Sequence, residues 1–169
     1  MLRTNRLELR CPVEDDRSFF EQLFADEEFM VFSGGVLTPA EASTRFDVML
    51  RNVDEVPFAK QPIIERSTGQ IIGYCGVAWF DFEGCPRLEF GWRLVAGARG
   101  RGYATEATRA LLELAATTFD GEILAMIDPT NEPSKRVAAK LGFDFWKLAT
   151  VDGFLEEIHR LRLTRKRVG

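Results

Sequence analysis

Arg99-Gly100-Arg101-Gly102-Tyr103-Ala104-Thr105-Glu106-Ala107 joins an apolar strand pattern, Arg87 to Val95, to an apolar helical pattern, Tyr103 to Phe119. Two glycines spaced two apart let the main chain turn tightly and come close to a ligand, because neither carries a Cβ. A helix opening at Tyr103 adds unpaired amides and the positive end of its dipole, so the stretch reads as a backbone cradle for phosphate. Ordinary strand-to-helix turns use the same spacing, and the cradle alone leaves both readings open. The third glycine of the dinucleotide fingerprint and the Gly-Lys-Ser/Thr ending of the P-loop are both missing, which points to another class of phosphate ligand.

Upstream of the cradle, Leu88, Phe90, Trp92 and Leu94 point to one side of the strand, and Glu89, Gly91 and Arg93 to the other. Phe58 to Glu65, the turn Ser67-Thr68-Gly69-Gln70 and Ile71 to Phe80 read as a hairpin. With Asp81 to Pro86 as a loop, these segments make a three-stranded antiparallel meander. Downstream, the stripe Ala107, Leu111, Leu114 and Ala115 makes a helix, and Glu122 to Ile127 a strand. Strand, helix and strand in that order imply a right-handed crossover and a locally parallel pair. A helix from Pro133 to Leu141 is stopped by Gly142; strands Phe143 to Thr150 and Phe154 to Leu163 follow, joined at Asp152-Gly153.

At the other end, Leu7-Glu8-Leu9 alternates as a strand, and Glu14 to Ala25 carries Phe19, Phe20, Leu23 and Phe24 at helical spacing. Phe29 to Gly35 reads as an aromatic loop. Thr38-Pro39-Ala40-Glu41 is a capping box with proline at the first helical position, opening a helix that carries Phe46, Met49 and Leu50 on one side. The fold class expected is α+β: a mixed, mostly antiparallel sheet with one parallel pair, flanked by helices.

With 169 residues and 46% apolar composition, the chain suits a single domain, 1–169, with a core of ordinary size. Acidic residues outnumber basic ones, 26 to 22, which argues against a general nucleic-acid binder and suits a cationic substrate or partner. Cys11, Cys75 and Cys85 are widely spaced and odd in number, so they read as reduced, partly buried thiols rather than a disulfide framework or a metal site. The one histidine, His159, falls late in a strand and reads as structural. No apolar run suggests a signal sequence or a membrane span, so a cytoplasmic protein without a membrane partner is expected. The basic end, Arg162 to Arg167, reads as a solvated terminus.

Arg99-x-x-Gly102-x-Ala104 resembles the Arg/Gln-x-x-Gly-x-Gly/Ala signature of the GCN5-related N-acetyltransferases (GNAT), and Gly100 to Ala107 looks like their RimJ/RimL-type branch. Thr4-x-Arg6-Leu7-x-Leu9-Arg10, Gly69-Gln70-Ile71-Ile72-Gly73 and Asn131-x-x-Ser134-x-x-Val137-x-x-Lys140-Leu141-Gly142-Phe143 resemble other parts of the family pattern in the same order. The resemblance covers nearly the whole chain. It implies an acetyl-CoA-dependent transferase, with the cofactor pyrophosphate on backbone amides of Arg99, Gly100, Arg101, Gly102, Tyr103, Ala104 and Thr105. It also implies a pantetheine arm between two splayed parallel strands, bonded like an extra strand to the backbone of Trp92, Arg93 and Leu94. Arg99 and Arg101 can add charge to the phosphates or serve as solvated turn residues.

Attack of an amine on a thioester needs a neutral amine, a polarised carbonyl and a stabilised leaving thiolate. Glu89 is the candidate base, its other reading being a surface charge on the solvent face of the sheet. The resemblance implies a tyrosine acid in the helix that ends at Gly142, but Ala138 stands there. Ser134 then becomes the candidate donor to the sulfur, its other reading a helix-start residue, while Asn131 positions the pantetheine. An ordered water, or no discrete acid, also satisfies the chemistry.

The acceptor expected is a primary amine, either a small molecule or a protein N-terminus, chosen by the loops Phe29 to Leu37 and Asp81 to Pro86. The missing tyrosine keeps a second reading open, a catalytically silent acyl-CoA-binding module. Apolar positions such as Phe154 and Leu155 would permit a homodimer.

Overall fold

The computed structural model describes residues 1–165, so the part of the basic end beyond Arg165 lies outside the described residues. The chain begins with β1 (Leu2–Arg3) and β2 (Leu7–Leu9), followed by a short 3-10 turn, α1 (Arg17–Phe24), α2 (Glu27–Met30) and α3 (Pro39–Glu55). The meander is β3 (Gln61–Glu65), β4 (Gln70–Phe82) and β5 (Cys85–Leu94). It leads into α4 (Tyr103–Thr118), β6 (Gly121–Ile127), α5 (Glu132–Leu141), β7 (Asp144–Val151) and β8 (Phe154–Leu163).

These strands form one sheet in the order β1-β2-β3-β4-β5-β6-β8-β7. Neighbours are antiparallel except β5 and β6, which meet only at Leu88 opposite Ile123 and Glu89 opposite Leu124. Beyond that point the two strands are unpaired with one another, leaving a V whose apex is Glu89 and Leu124. No helix among the described residues is long and apolar enough to cross a membrane.

Alternation along the strands divides the core between the two faces. Leu88, Phe90, Ile123, Ala125 and Ile127 pack under α4 and α5 against Ala107, Leu111, Ala115 and Ala138. On the opposite face Tyr74 meets Phe20, Phe24 and Phe29 from α1 and α2, with Phe46 of α3 stacked on Phe20, and farther along Phe82, Leu124 and Ile158 form a smaller cluster. A fully buried side chain of this size contributes about 1.5–3 kcal/mol, so the aromatic set fixes the first three helices to the sheet.

The helix ends follow from their residues. Thr38 Oγ1 accepts from the Glu41 amide while Glu41 Oε2 accepts from the Thr38 amide, the reciprocal pair that the capping box predicts. At the end of α5, Gly142 takes φ +87° and the Phe143 amide turns back to the Ala138 carbonyl.

Several expectations are corrected. The stretch Phe29 to Gly35, read as an aromatic loop, starts inside α2: Phe29 and Met30 are its buried last two residues, Asp26 Oδ1 caps its first turn at the Phe29 amide, and the turn runs only from Val31. The loop read over Asp81 to Pro86 is a two-residue turn: β4 runs to Phe82, β5 starts at Cys85, and Glu83 and Gly84 both take positive φ. Phe82, placed in that loop by the sequence, is instead the buried end of β4, packed against Trp146. Cys75 is buried, whereas Cys11 and Cys85 are exposed.

Candidate functional site

The glycine turn opens α4 at the expected residues. Gly100 and Gly102 hold φ of +73° and +80°, a left-handed conformation that side chains strain to adopt. Gly102 is the cap residue of α4, and the first helical return bond runs from the Glu106 amide to the Gly102 carbonyl. The amides of Tyr103, Ala104 and Thr105 precede that bond and have no carbonyl within the helix to pair with. A Cβ added at Gly100 would meet nothing within 4 Å, so the turn is open on that side.

Side chains around the cradle fasten it. Arg6 donates to the Arg101 carbonyl at 2.9 Å and pairs with Glu106 at 2.6 Å. Burial pushes the Glu106 carboxyl up, but hydrogen bonds from Thr4 and Arg6 outweigh it and hold its pKa below the usual range. Arg101 pairs with Glu65 at 3.2 Å, and the buried Tyr103 donates its hydroxyl to the same carboxylate. Arg99 turns away from the cradle: its Nε donates to the Leu94 carbonyl at 3.1 Å and its Nη2 to the Glu28 carbonyl at 3.0 Å. That side chain anchors α2 to the end of β5. A shallow groove of about 800 Å³ starts at Gly102 and Thr105 and runs along α4 past Arg3, Arg109 and Lys140.

Within the V, the side chains of β5 are already engaged. Trp92 packs on Phe90 and Phe143, with ring centroids 6.2 and 6.1 Å away. Arg93 lies over Phe29 and Tyr74 and donates to Met30 Sδ at 3.2 Å. Leu94 is buried. What this stretch offers a ligand is backbone. Past the end of β6, Asn131 caps α5, its Oδ1 accepting from the Ser134 amide at 3.2 Å. The Ser134 hydroxyl and the Asn131 Nδ2 make no hydrogen bond among the described residues.

The face of the V toward α1 to α3 is charged. Glu89 sits at the apex, and its Oε2 accepts from Lys60 Nζ at 3.1 Å. Lys60 reaches it because Gly76 lacks a side chain: a Cβ there would come within 2.3 Å of the Ala59 carbonyl oxygen. Gly91 leaves room for the pair itself, since a Cβ at that position would stand 3.1 Å from Glu89 Oε1.

Glu156 joins this face from β8. The register of β6 and β8 pairs Met126 with Ile158 and Ile127 with Glu157; continued by one residue, it sets Glu156 across from Asp128, on the face that carries Leu124 and Ile158. Glu156 Oε2 is buried and has no hydrogen-bond partner among the described residues. Burial, then the nearby charges of Asp128 and Glu89, push its carboxyl up to about 7. Among the described residues, no three acidic, histidine or cysteine side chains are grouped to hold a metal ion. Phe154 roofs the same face, its ring 3.2 Å from where a Cβ on Gly34 would stand.

The structure therefore brings Glu89, the cradle and Asn131 with Ser134 around one V. Sequence reasoning missed Lys60, Glu156 and Asp128. Glu156 and Glu157 are adjacent in the last strand, and only the pairing of β8 with β6 tells them apart, setting Glu157 toward Lys135 on α5.

A family model described as "Acetyltransferase (GNAT) domain" matches residues 6–144. An uncharacterized protein of Bacillus subtilis, YkkB, is 30% identical over 148 residues, covering 86% of this chain and 86% of its own. Among solved structures, a GnaT-family acetyltransferase from Bordetella pertussis superposes with a TM-score of 0.81 at 23% identity, covering 94% of this chain and 97% of the other. The aminoglycoside acetyltransferase AAC(6')-Ib in complex with coenzyme A gives 0.74 at 17% identity, covering 92% and 94%. The ribosomal-protein-S5-alanine acetyltransferase of Vibrio fischeri gives 0.77 at 16% identity, covering 95% and 95%.

Proposed function

The chain belongs to the GNAT acetyltransferase family, and from that premise we propose that it moves an acetyl group from acetyl-CoA to a primary amine by direct attack in a ternary complex. The observation that carries this reading is the V between β5 and β6 opening beside the glycine cradle. Backbone amides of Gly100 to Thr105 would take the pyrophosphate. The backbone of Trp92 to Leu94 would pair with the pantetheine arm, except at the Leu94 carbonyl, which Arg99 already occupies. The groove along α4, with Arg3, Arg109 and Lys140, suits the nucleotide end.

In this reading the amine lone pair attacks the thioester carbonyl carbon, the C–N bond forms, and the C–S bond breaks with its electrons on sulfur. Asn131 Nδ2 would position the arm, and the uncommitted Ser134 hydroxyl would donate to the departing thiolate. Glu89, the base expected from sequence, has one oxygen on Lys60 and offers the other to the acceptor ammonium. Its part is to receive and orient that group beside the thioester.

The acceptor is a small amine or a protein N-terminus. The Vibrio fischeri neighbour supports a RimJ/RimL-type branch and AAC(6')-Ib an antibiotic-like acceptor, each at the level of the fold. We place the protein in the cytoplasm, where acetyl-CoA is made and used. Incubation with acetyl-CoA and a panel of N-terminal peptides, polyamines, aminoglycosides and amino acids should release free CoA with at least one. Failure to bind CoA in calorimetry would sink the reading, and binding without turnover of any amine would leave the silent acyl-CoA-binding module.

A further inference from the structure

Resting on the acetyl-transfer reading, we propose that Glu156 accepts the proton that the acceptor ammonium must lose before it attacks. An aliphatic amine arrives protonated near neutral pH, and a base is needed whose free oxygen faces the amine without being held by a cation. Glu89 meets the second condition only in part, because Lys60 already holds one of its two oxygens at 3.1 Å. Glu156 meets it: Oε2 is buried, bonds to nothing among the described residues, and lies on the face where the V opens.

The groups around Glu156 are consistent with this role. Asp128 stands at the end of β6 and Glu89 on β5, and both raise the energy of a further negative charge there. Lys60 is spent on Glu89. Lys147 on β7 is held by Glu83 at 2.6 Å, and Arg93 on β5 is held over Phe29 and Tyr74. A cation arriving in this cleft therefore meets carboxylates whose charges favour it. The Glu156 carboxyl is poised near neutrality, the range in which a base both exists ionised and holds a proton well.

The step balances. Glu156 carboxylate takes one proton from the acceptor ammonium and becomes a neutral carboxyl. The amine forms the C–N bond and the thiolate leaves with the C–S electrons. The second proton, on the new amide nitrogen, goes to the thiolate, and Glu156 returns its own proton to solvent.

The experiment uses the full chain, acetyl-CoA, and whichever amine of the panel gives the fastest CoA release. For the parent, kcat/KM should rise with pH and break near 7, apart from any limb set by the amine's own pKa. Glu156→Gln should lower kcat by about 100-fold and lose that break, with CoA affinity by calorimetry and the circular dichroism spectrum unchanged. Glu89→Gln should keep the break but move it to lower pH, since one of the charges that raise Glu156 is gone. A break near 7 surviving in Glu156→Gln, or a kcat within about threefold of the parent's, overturns the assignment and leaves the transferase reading intact. No turnover by the parent with any amine overturns both.

Discussion

Glu89 Oε2 accepts from Lys60 Nζ at 3.1 Å at the point where the parallel pairing of β5 and β6 stops. Only 23% of the Lys60 side chain and 17% of the Glu89 side chain is exposed, so neither charge is well served by water. Lys60→Met strands the carboxylate and should cost about 1–3 kcal/mol in urea unfolding. The double variant Lys60→Met, Glu89→Gln should recover most of that loss, because both charges leave together. Equal stability of the single and double variants would contradict the pairing.

Gly102→Val tests the cradle. An added Cβ would find only Arg6 Nη2, at 3.5 Å, so packing does not forbid it. The φ of +80° does, at about 1–2 kcal/mol for a side chain held there. The valine would also stand over the amides that open α4. CoA affinity in calorimetry should fall at least about tenfold, well beyond the modest loss of stability.

Arg99→Ala separates the family signature from its function in this chain. Arg99 bonds to Leu94 and Glu28, so its loss should loosen α2 and lower thermal stability by a few degrees. CoA affinity should change by less than about threefold. A tenfold loss of affinity with unchanged stability would return Arg99 to the phosphates.

The pattern of elements was legible because it rests on local signals: the alternation of Leu88 to Leu94, the stripe from Ala107 to Ala115, and the caps at Thr38 and Gly142. Their order then predicted the parallel pair. Failures came where local signals mislead or do not exist. Asp81, Gly84 and Pro86 are turn formers, yet the turn is confined to Glu83 and Gly84, because β4 and β5 pair up to Phe82 and Cys85. Four residues of α2 are too few to show a period. The site was half legible for the same reason: glycine spacing announces a cradle, but Lys60 and Glu156 reach the V through Gly76 and the β6–β8 register, contacts between residues far apart in sequence.

Ala138 occupies the position where the family resemblance implies a tyrosine, and it is fully buried against the core under α5. Restoring the ring is therefore not a neutral change. Ala138→Tyr should destabilise by about 1–3 kcal/mol or more through overpacking, and should not raise kcat. A more active, equally stable variant would show that the helix can move aside.

Glu156 and Asp16 should move stability in opposite directions with pH. Asp16 is buried; desolvation raises its pKa, but the hydrogen bonds from Arg10 and from the Val13 amide outweigh that and depress it. Its contribution is present above the unfolded carboxylate pKa and is lost as pH falls through the lower folded value. Glu156 is raised from 4.5 to about 7, so between those values the folded state binds more protons than the unfolded one. Stability should therefore fall as pH rises through that window, by about 1–2 kcal/mol once partial solvation is allowed for. In urea titrations of the apo protein, Glu156→Gln should remove the decline between pH 5 and 7.5 and leave the acid loss below pH 4 in place, whereas Asp16→Asn should weaken the acid loss and keep the decline. A parent whose stability is flat from pH 5 to 7.5 would show that Glu156 is charged at little cost, and would take away the physical reason for its proton affinity.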